Sequence, residues 1–346
     1  MKSDYLNKIV SNFKFSIKNY DSYSASKYWK KSINKKKKLF NSKSLKNFRK
    51  NGLANNIDDF YINKKKSELL FKNLRKKCGD KFILNLLEKK NFGNAKKIFK
   101  FKNKFFSPTD LFIIKYIYEL KKYINFKKIN VICEIGQGFG LLASKLLKLN
   151  NFKVILIDLP ESNLITAFYL KSIYPKKKIV MDIDLKNKKL NSKDLKKGDI
   201  FIISPWIKYD KISTDLFINS RSMMEMNKVS INTYFNLIHK NIARNGYFLC
   251  INRYYKDLVG YPVEFHLYPF DNYWNVIESK RSWMQPFIHF LLLKRSIKER
   301  EEIKIALKGI KKNYIKVLKN EKIFIRRYMP IWIYRYYKYL KNIFQS

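Results

Sequence analysis

Cysteine is scarce in this chain of 346 residues: Cys78, Cys133 and Cys250 are the only three, far apart and odd in number. That spacing excludes a disulfide framework and a zinc knuckle. Cys133 and Cys250 each lie in an apolar run and read as small buried hydrophobes. Long hydrophobic runs are missing too, none approaching the roughly 18 apolar residues that a membrane-spanning helix needs. Residues 1–5 open without the apolar stretch of a signal peptide, so the expectation is a cytoplasmic protein, with the inner face of the membrane as its furthest reach. Acidic residues are few, 27 against 74 Lys and Arg, which leaves a net charge of +47. Charge so lopsided attracts polyanions such as nucleic acid, anionic headgroups or acidic glycans. Yet Lys, Asn, Ile, Phe and Tyr are enriched together, as in a drift of composition along the whole chain rather than a built patch. Histidine is limited to His239, His266 and His289, which narrows the choice of a general base.

The length suits one large domain or two smaller ones, and 46% hydrophobic residues allow a sizeable core. Three regions follow from the pattern. Residues 1–105 form a Lys-rich helical preface, with short amphipathic helices expected at 23–29, 45–49 and 69–87 and turns at Asn51-Gly52 and Cys78-Gly79-Asp80. Residues 106–295 alternate apolar strands with amphipathic helices. A helix starts at Ser107-Pro108-Thr109-Asp110 and covers 111–123, and strands fall at 131–135, 154–157, 216–219, 247–252, 274–278 and 287–293. Helices fall at 141–149, 161–174 and 233–243. Two segments, 178–181 and 199–203, both qualify as the third strand. The last two strands are joined too tightly for a crossover helix and should be antiparallel neighbours. This is an α/β, Rossmann-like sheet covered on both faces. Residues 296–346 are a basic tail, helical in pattern and ending in aromatic rings interleaved with Lys and Arg. Such a tail suits either a membrane interface or docking on the protein body.

The chemistry concentrates at Glu134-Ile-Gly-Gln-Gly-Phe-Gly140. Gly136, Gly138 and Gly140 let a strand turn tightly into a helix and keep side chains, with Gln137 between them, away from a ligand. A second apolar run then ends in Asp158, followed by Leu159, at the spacing where a carboxylate accepts from both ribose hydroxyls. NAD and S-adenosylmethionine both fit such a cradle. Three details favour the latter. Glu134 would oppose a diphosphate but tolerate a sulfonium, the glycines are spaced Gly-x-Gly-x-Gly, and the sheet ends in an antiparallel pair.

With these residues in view, the chain resembles the sugar O-methyltransferase family of bacterial surface-polysaccharide gene clusters. The match is carried by Glu134 to Gly140, by Ile157-Asp-Leu-Pro-Glu161 and by Asp215-Leu-Phe-Ile-Asn-Ser-Arg-Ser-Met-Met-Glu-Met226. Tyr234-Phe235, Ile251-Asn-Arg253, Tyr28-Trp29 and Leu45-Lys-Asn-Phe-Arg49 add to it, over roughly residues 20–295. The resemblance implies a class I S-adenosylmethionine-dependent O-methyltransferase acting on a sugar, a nucleotide sugar or a lipid-linked glycan in surface polysaccharide synthesis.

On position alone, Asn219 and Ser220 at a strand end, and Asp182 after a candidate third strand, are expected to join Glu134, Gly136, Gln137, Gly138, Gly140, Asp158 and Leu159 around the cofactor. Asp215 starts its strand at the far side of the sheet and reads as structural. Asn252, Arg253 and Arg221 are candidates for the substrate. His266, Glu264 and Glu225 are candidates for orienting and deprotonating the acceptor hydroxyl. His239 and His289 sit on a helix and inside a strand. His266, Glu264, Glu225 and Asp182 could hold a divalent metal, but no spacing demands it, and none is assigned. Ser204-Pro205-Trp206 lacks one proline of the motif found in adenine-methylating enzymes, which leaves nucleic acid an unfavoured partner. RNA methylation and a non-catalytic cofactor-binding scaffold stand as alternatives. Oligomeric state is not legible.

Overall fold

A computed structural model describes residues 3–19, 42–54, 62–256, 263–282, 285 and 287–328, with the side chains of 42, 187 and 320–328 left aside. The helix expected at 23–29, the Tyr28-Trp29 match and the tail beyond 328 lie outside the described residues. The chain divides into two compact units, one of residues 1–23, 32–218 and 240–243, the other of 24–31, 219–239 and 244–346.

The first unit opens with helices α1 (Ser3–Ile17), α2 (Ser42–Lys46), α3 (Lys64–Cys78) and α4 (Asp80–Leu86), then a hairpin of β1 (Phe99–Phe101) and β2 (Lys104–Phe106). The single helix expected over 69–87 is two helices. Gly79 adopts φ 76°, ending α3 and beginning α4, a conformation that a side chain would disfavour. Helix α5 (Pro108–Lys121) starts where the Ser-Pro-Thr-Asp signal put it. The Ser107 N–H donates to Asp110 Oδ2 at 2.9 Å, closing a capping box.

Then come β3 (Val131–Ile135), α6 (Leu141–Leu146), β4 (Lys153–Ile157), α7 (Pro160–Ile173), β5 (Ile179–Met181), β6 (Lys189–Asn191), β7 (Ile200–Ile203), β8 (Lys208–Asp210) and β9 (Thr214–Ser220). The main strands run in the order β5-β7-β4-β3-β9, and β5, β7, β4 and β3 are parallel. All five residues of β3 are buried, as expected for a parallel strand covered on both faces. Both candidates for the third strand are strands, and β7 lies between β4 and β5. The chain steps from β3 to β4 on one side and returns to β9 on the other. β3 is therefore the topological switch point, where doubly wound sheets of the Rossmann-like class hold ligands beyond their carboxyl ends. Asp215 has the structural part expected of it, its Oδ2 accepting from the N–H groups of Asn130 at 2.7 Å and Val131 at 3.0 Å.

Helix α8 (Lys228–Asn241) begins five residues before the 233 expected from pattern. It leads to β10 (Ile242–Arg253), β11 (Trp274–Arg281), β12 (Ile288–Arg295) and α9 (Glu302–Tyr328). In the second unit the order is β10-β12-β11. The β11–β12 pair is antiparallel, as the short connection predicts, with a register shift between Val276 and Glu278. Buried Ile303 and Ile310 mark the inward face of α9. Among the described residues no helix is long and apolar enough to cross a membrane.

Candidate functional site

The glycine loop leaves β3 with Gly136, Gly138 and Gly140 all at positive φ, 74°, 61° and 83°. Two of these positions constrain the loop differently. A Cβ on Gly140 would stand 2.9 Å from Thr166 Cγ2, whereas one on Gly138 would meet nothing within 4 Å. Gly140 is thus required by packing against α7, and Gly138 leaves open space at the loop surface. The Gly136 N–H donates to the Ile157 carbonyl at 2.8 Å, tying the loop to the end of β4. Helix α6, which follows the loop, spans six residues rather than the nine expected.

Asp158 meets this loop directly. Its Oδ2 accepts from the Gly138 N–H at 2.9 Å, and its Oδ1 from the Leu159 N–H at 2.7 Å. Two residues that sequence reasoning missed complete the frame. Asn163 Nδ2 donates to the Asp158 carbonyl at 2.8 Å, and Asn163 Oδ1 accepts from Gln137 Nε2 at 2.8 Å. Thr166 Oγ1 donates to the Gly138 carbonyl at 2.8 Å. The periodicity of α7 was the available signal, since positions 163 and 166 lie on the helical face toward the loop. Arg49, quoted above for its family likeness, stands 5.4 Å over the Phe139 ring, and Phe48 packs against the same ring at 5.2 Å.

Glu134 is 3% exposed. Burial pushes its carboxyl up to about 8, the Asp158 charge adds to that, and the Ala143 N–H partly offsets it. The site therefore holds a neutral acid at pH 7. The sign for stability follows. The folded protein holds this proton up to about pH 8, whereas the unfolded chain loses it near pH 4.3, so stability falls across that window as pH rises, by on the order of a few kcal/mol. Glu134→Gln removes this slope. Melting the two proteins from pH 5 to 8.5 should show the variant gaining on the wild type as pH rises, and parallel curves would contradict the assignment.

The structure gives Asp182 a different surrounding from an open ligand contact. It is fully buried, accepting from the Ser204 N–H at 2.9 Å, from Ser204 Oγ at 2.5 Å and from Ser16 Oγ of α1 at 2.5 Å. Burial raises its pKa, against the lowering by these donors. Asp182 therefore fixes the start of the Ser204-Pro205-Trp206 loop. That loop follows the strand next to β4, and the Asp158 N–H donates to the Ile203 carbonyl at 3.3 Å.

In the second unit, Asn219 and Asn252 are both fully buried and spend their amides on each other and on the turn at 222–226. Asn252 Nδ2 donates to Asn219 Oδ1 at 2.9 Å. Asn219 Nδ2 donates to Ser222 Oγ at 2.6 Å, and the Met224 N–H donates to Asn252 Oδ1 at 3.2 Å. Ser220 closes β9, and Arg221 follows it at φ 66° with its N–H on the Ile251 carbonyl at 2.7 Å. Arg253 stacks over Phe287 at 4.3 Å. Glu225 is paired with Lys256, a partner that sequence reasoning did not consider, rather than with Arg221 or Arg253.

The two base candidates in the 254–273 connection do come together. His266 Nε2 lies 3.4 Å from Glu264 Oε2, and Glu264 Oε1 accepts from the Tyr314 hydroxyl of α9 at 3.1 Å. Burial lowers the His266 pKa, the Glu264 charge raises it, and Lys311 lowers it. The ring is thus neutral at pH 7 and able to accept a proton. His239 instead faces Asp271 at 3.7 Å. His289 is buried between the Tyr254 hydroxyl at 3.1 Å and Ser279 Oγ at 2.9 Å, with its pKa pushed down to about 3, mainly by burial. Among the described residues no group of three or more His, Cys, Asp or Glu is placed to hold a metal.

Strand order and loop together define a Rossmann-like α/β protein with a glycine loop at its switch point. No family profile matches the sequence, and no curated protein matches it. Among solved structures, it is similar to a SAM dependent methyltransferase from Aquifex aeolicus, at 12% identity over 65% of this chain and 97% of that one, with a TM-score of 0.36. It is also similar to the mitomycin 7-O-methyltransferase MmcR, at 12% identity, 55% and 57% coverage and a TM-score of 0.37. The pyocyanin biosynthetic protein PhzM follows at 10% identity, 55% and 58% coverage and a TM-score of 0.33. The chain thus spans 57% and 58% of the latter two proteins.

Proposed function

We propose that this chain is an S-adenosylmethionine-dependent O-methyltransferase whose acceptor is a hydroxyl of a sugar or glycan intermediate in surface polysaccharide synthesis. The observation that carries the reading is the contact of the Asp158 carboxylate with the Gly138 N–H at 2.9 Å, beside a glycine whose missing side chain leaves open space. The residues present fit the cofactor. Asp158 would accept from the ribose, and Gly136 and Gly138 admit close backbone approach. Buried Glu134, protonated at pH 7, carries no charge to oppose a diphosphate. It therefore does not select a sulfonium, and the choice of cofactor rests on the glycine spacing and the closing antiparallel pair. When bound, S-adenosylmethionine supplies an electrophilic methyl group.

The chain's own residues then have the acceptor to manage. The Glu264–His266 pair would take the hydroxyl proton, with Tyr314 holding Glu264 in place. Arg253 and Arg221 offer charge to an anionic sugar. The sugar class rests on the sequence resemblance, and the Asp-Leu-Pro-Glu and Ser-x-x-Glu-Met segments are its specific part.

Calorimetric titration with S-adenosylhomocysteine, with NAD as the paired control, tests the cofactor. Saturable binding of the first alone is the expected result. Binding of NAD alone would return the cradle to hydride transfer, and binding of neither would favour a scaffold. His266→Ala should cut turnover by about a hundredfold, within the usual range for a lost general base, while S-adenosylhomocysteine still binds. Turnover at the wild-type rate would remove His266 as the base.

A further inference from the structure

Helix α9 carries the most one-sided charge pattern among the described elements. Its inward face is apolar, with Ile303 1% and Ile310 0% exposed, and Tyr314 holds it to Glu264. Its outward face presents Lys304, Lys308, Lys311, Lys312, Lys316 and Lys319, all exposed, and no acidic residue occurs from 303 to 319. At about 100° per residue these six fall on a single arc of less than half the helix circumference. Some lysines elsewhere meet carboxylates, as Lys148 meets Glu88 at 2.7 Å and Lys189 meets Asp210 at 2.7 Å. On α9 only Lys304, at its start, has such a partner among the described contacts, Glu301 at 2.8 Å.

A second observation is independent of charge. Ile305 and Ile315 stand inside the lysine arc, 68% and 44% exposed. Ile297 just before the helix is 65% exposed, and Leu267, on the 3-10 turn (Phe265–Leu267) against which α9 packs, is 61% exposed. Half of the eight large hydrophobic side chains exposed among the described residues therefore belong to α9 and its immediate surroundings. Scattered apolar residues on a surface need no explanation, but their gathering on one basic helix does.

We propose that the outward face of α9 docks the protein on an anionic phospholipid surface. The lysines would lie among the headgroups while Ile305 and Ile315 dip into the interfacial layer. The apolar face of α9 is already committed to the protein body, so the helix lies on the membrane without inserting its core-facing side. Each lysine near such a surface contributes about 1 kcal/mol, weakened by salt. Isolated isoleucines between them favour a bilayer over a nucleic acid backbone, which offers no apolar layer. This inference does not depend on the methyl-transfer reading.

The test uses the full chain and sedimented vesicles of phosphatidylglycerol with phosphatidylcholine, against phosphatidylcholine alone. Binding to the anionic vesicles only is expected. The triple variant Lys308→Glu, Lys312→Glu, Lys316→Glu should reduce partitioning by at least about tenfold. Ile305→Ser with Ile315→Ser should leave a binding that raised salt abolishes more readily than in the wild type. A charge-matched control, Lys64→Glu, Lys65→Glu, Lys66→Glu on α3, should keep most of the binding. Circular dichroism identical to wild type checks that each variant is folded. Equal loss in the control would assign binding to net charge alone and overturn the proposal. So would equal binding to both vesicle types, or a triple variant that loses RNA binding while keeping its vesicles.

Discussion

Asp158→Ala is expected to weaken S-adenosylhomocysteine binding by about a hundredfold, because two charge-assisted hydrogen bonds to the ribose would be lost at roughly 1.5–3 kcal/mol each, less what water restores. The fold should persist. The N–H groups of Gly138 and Leu159, which Asp158 accepts from at 2.9 and 2.7 Å, lie where solvent can replace it. Asn163 and Thr166 would still hold the loop through the Asp158 and Gly138 carbonyls. Calorimetry with a melting curve on the same sample checks both halves. Wild-type affinity would remove Asp158 from the ribose site, and a collapsed melting temperature would make it a structural residue first. Asp158→Asn should fall between, since an amide keeps one acceptor but loses the charge.

Lys145→Met is expected to be the most destabilising single change in the first unit. Lys145 is wholly buried, with Nζ 2.9 Å from Asp110 Oδ1 and 3.6 Å from Glu88 Oε1. Lys148 holds the other side of this cluster, 2.7 Å from Glu88. Asp110 also receives Ser107 Oγ at 2.8 Å, and Ser107 receives an Arg49 guanidinium N–H at 2.7 Å. Removing one partner of a buried pair leaves the other charge uncompensated, at about 3–5 kcal/mol, on the order of 10 °C in melting temperature for a chain of this size. Lys145→Met combined with Asp110→Asn should recover part of the loss, as a double-mutant cycle would show.

The pH dependence has a definite sign. Burial would raise the Asp110 pKa, but Lys145, Arg49 and the Ser107 N–H together hold it below the usual carboxylate range. Its stabilisation is therefore present above the unfolded value near 3.9 and is lost as pH falls through the lower folded value. The gap between wild type and Lys145→Met should shrink on acidification. A gap that stays constant as pH falls from about 4 to about 2 would mean that Asp110 does not feel Lys145.

The cradle was legible because its determinants are local. A buried strand reads as a run of apolar residues, three glycines at two-residue spacing admit only a tight turn, and an aspartate at the next strand end is placed by chain length. The same locality made the Ser107–Asp110 capping box and the closing antiparallel pair readable. The acceptor side was harder. Asn219 and Asn252 sit at strand ends where a ligand contact is a fair reading, but they face each other across neighbouring strands and hydrogen-bond to each other and to the following turn. No sequence pattern distinguishes an amide aimed at a ligand from one aimed at a second amide 33 residues away. Glu225 shows the same ambiguity, since its cation, Lys256, comes from a connection with no periodicity to position it.

The sequence by itself determined the α/β class, the strand that enters the glycine loop, the loop itself and the carboxylate that meets it. Each depends on side-chain alternation and on backbone conformations confined to a few neighbouring residues. Only the tertiary structure decided which of two candidate strands lies beside β4, because hydrogen-bonded order within a parallel sheet leaves no local trace. It also decided that Ser16, 166 residues away, shares the Asp182 carboxylate with Ser204. A buried charge must find its donors wherever packing brings them, and that requirement is met in space rather than along the chain.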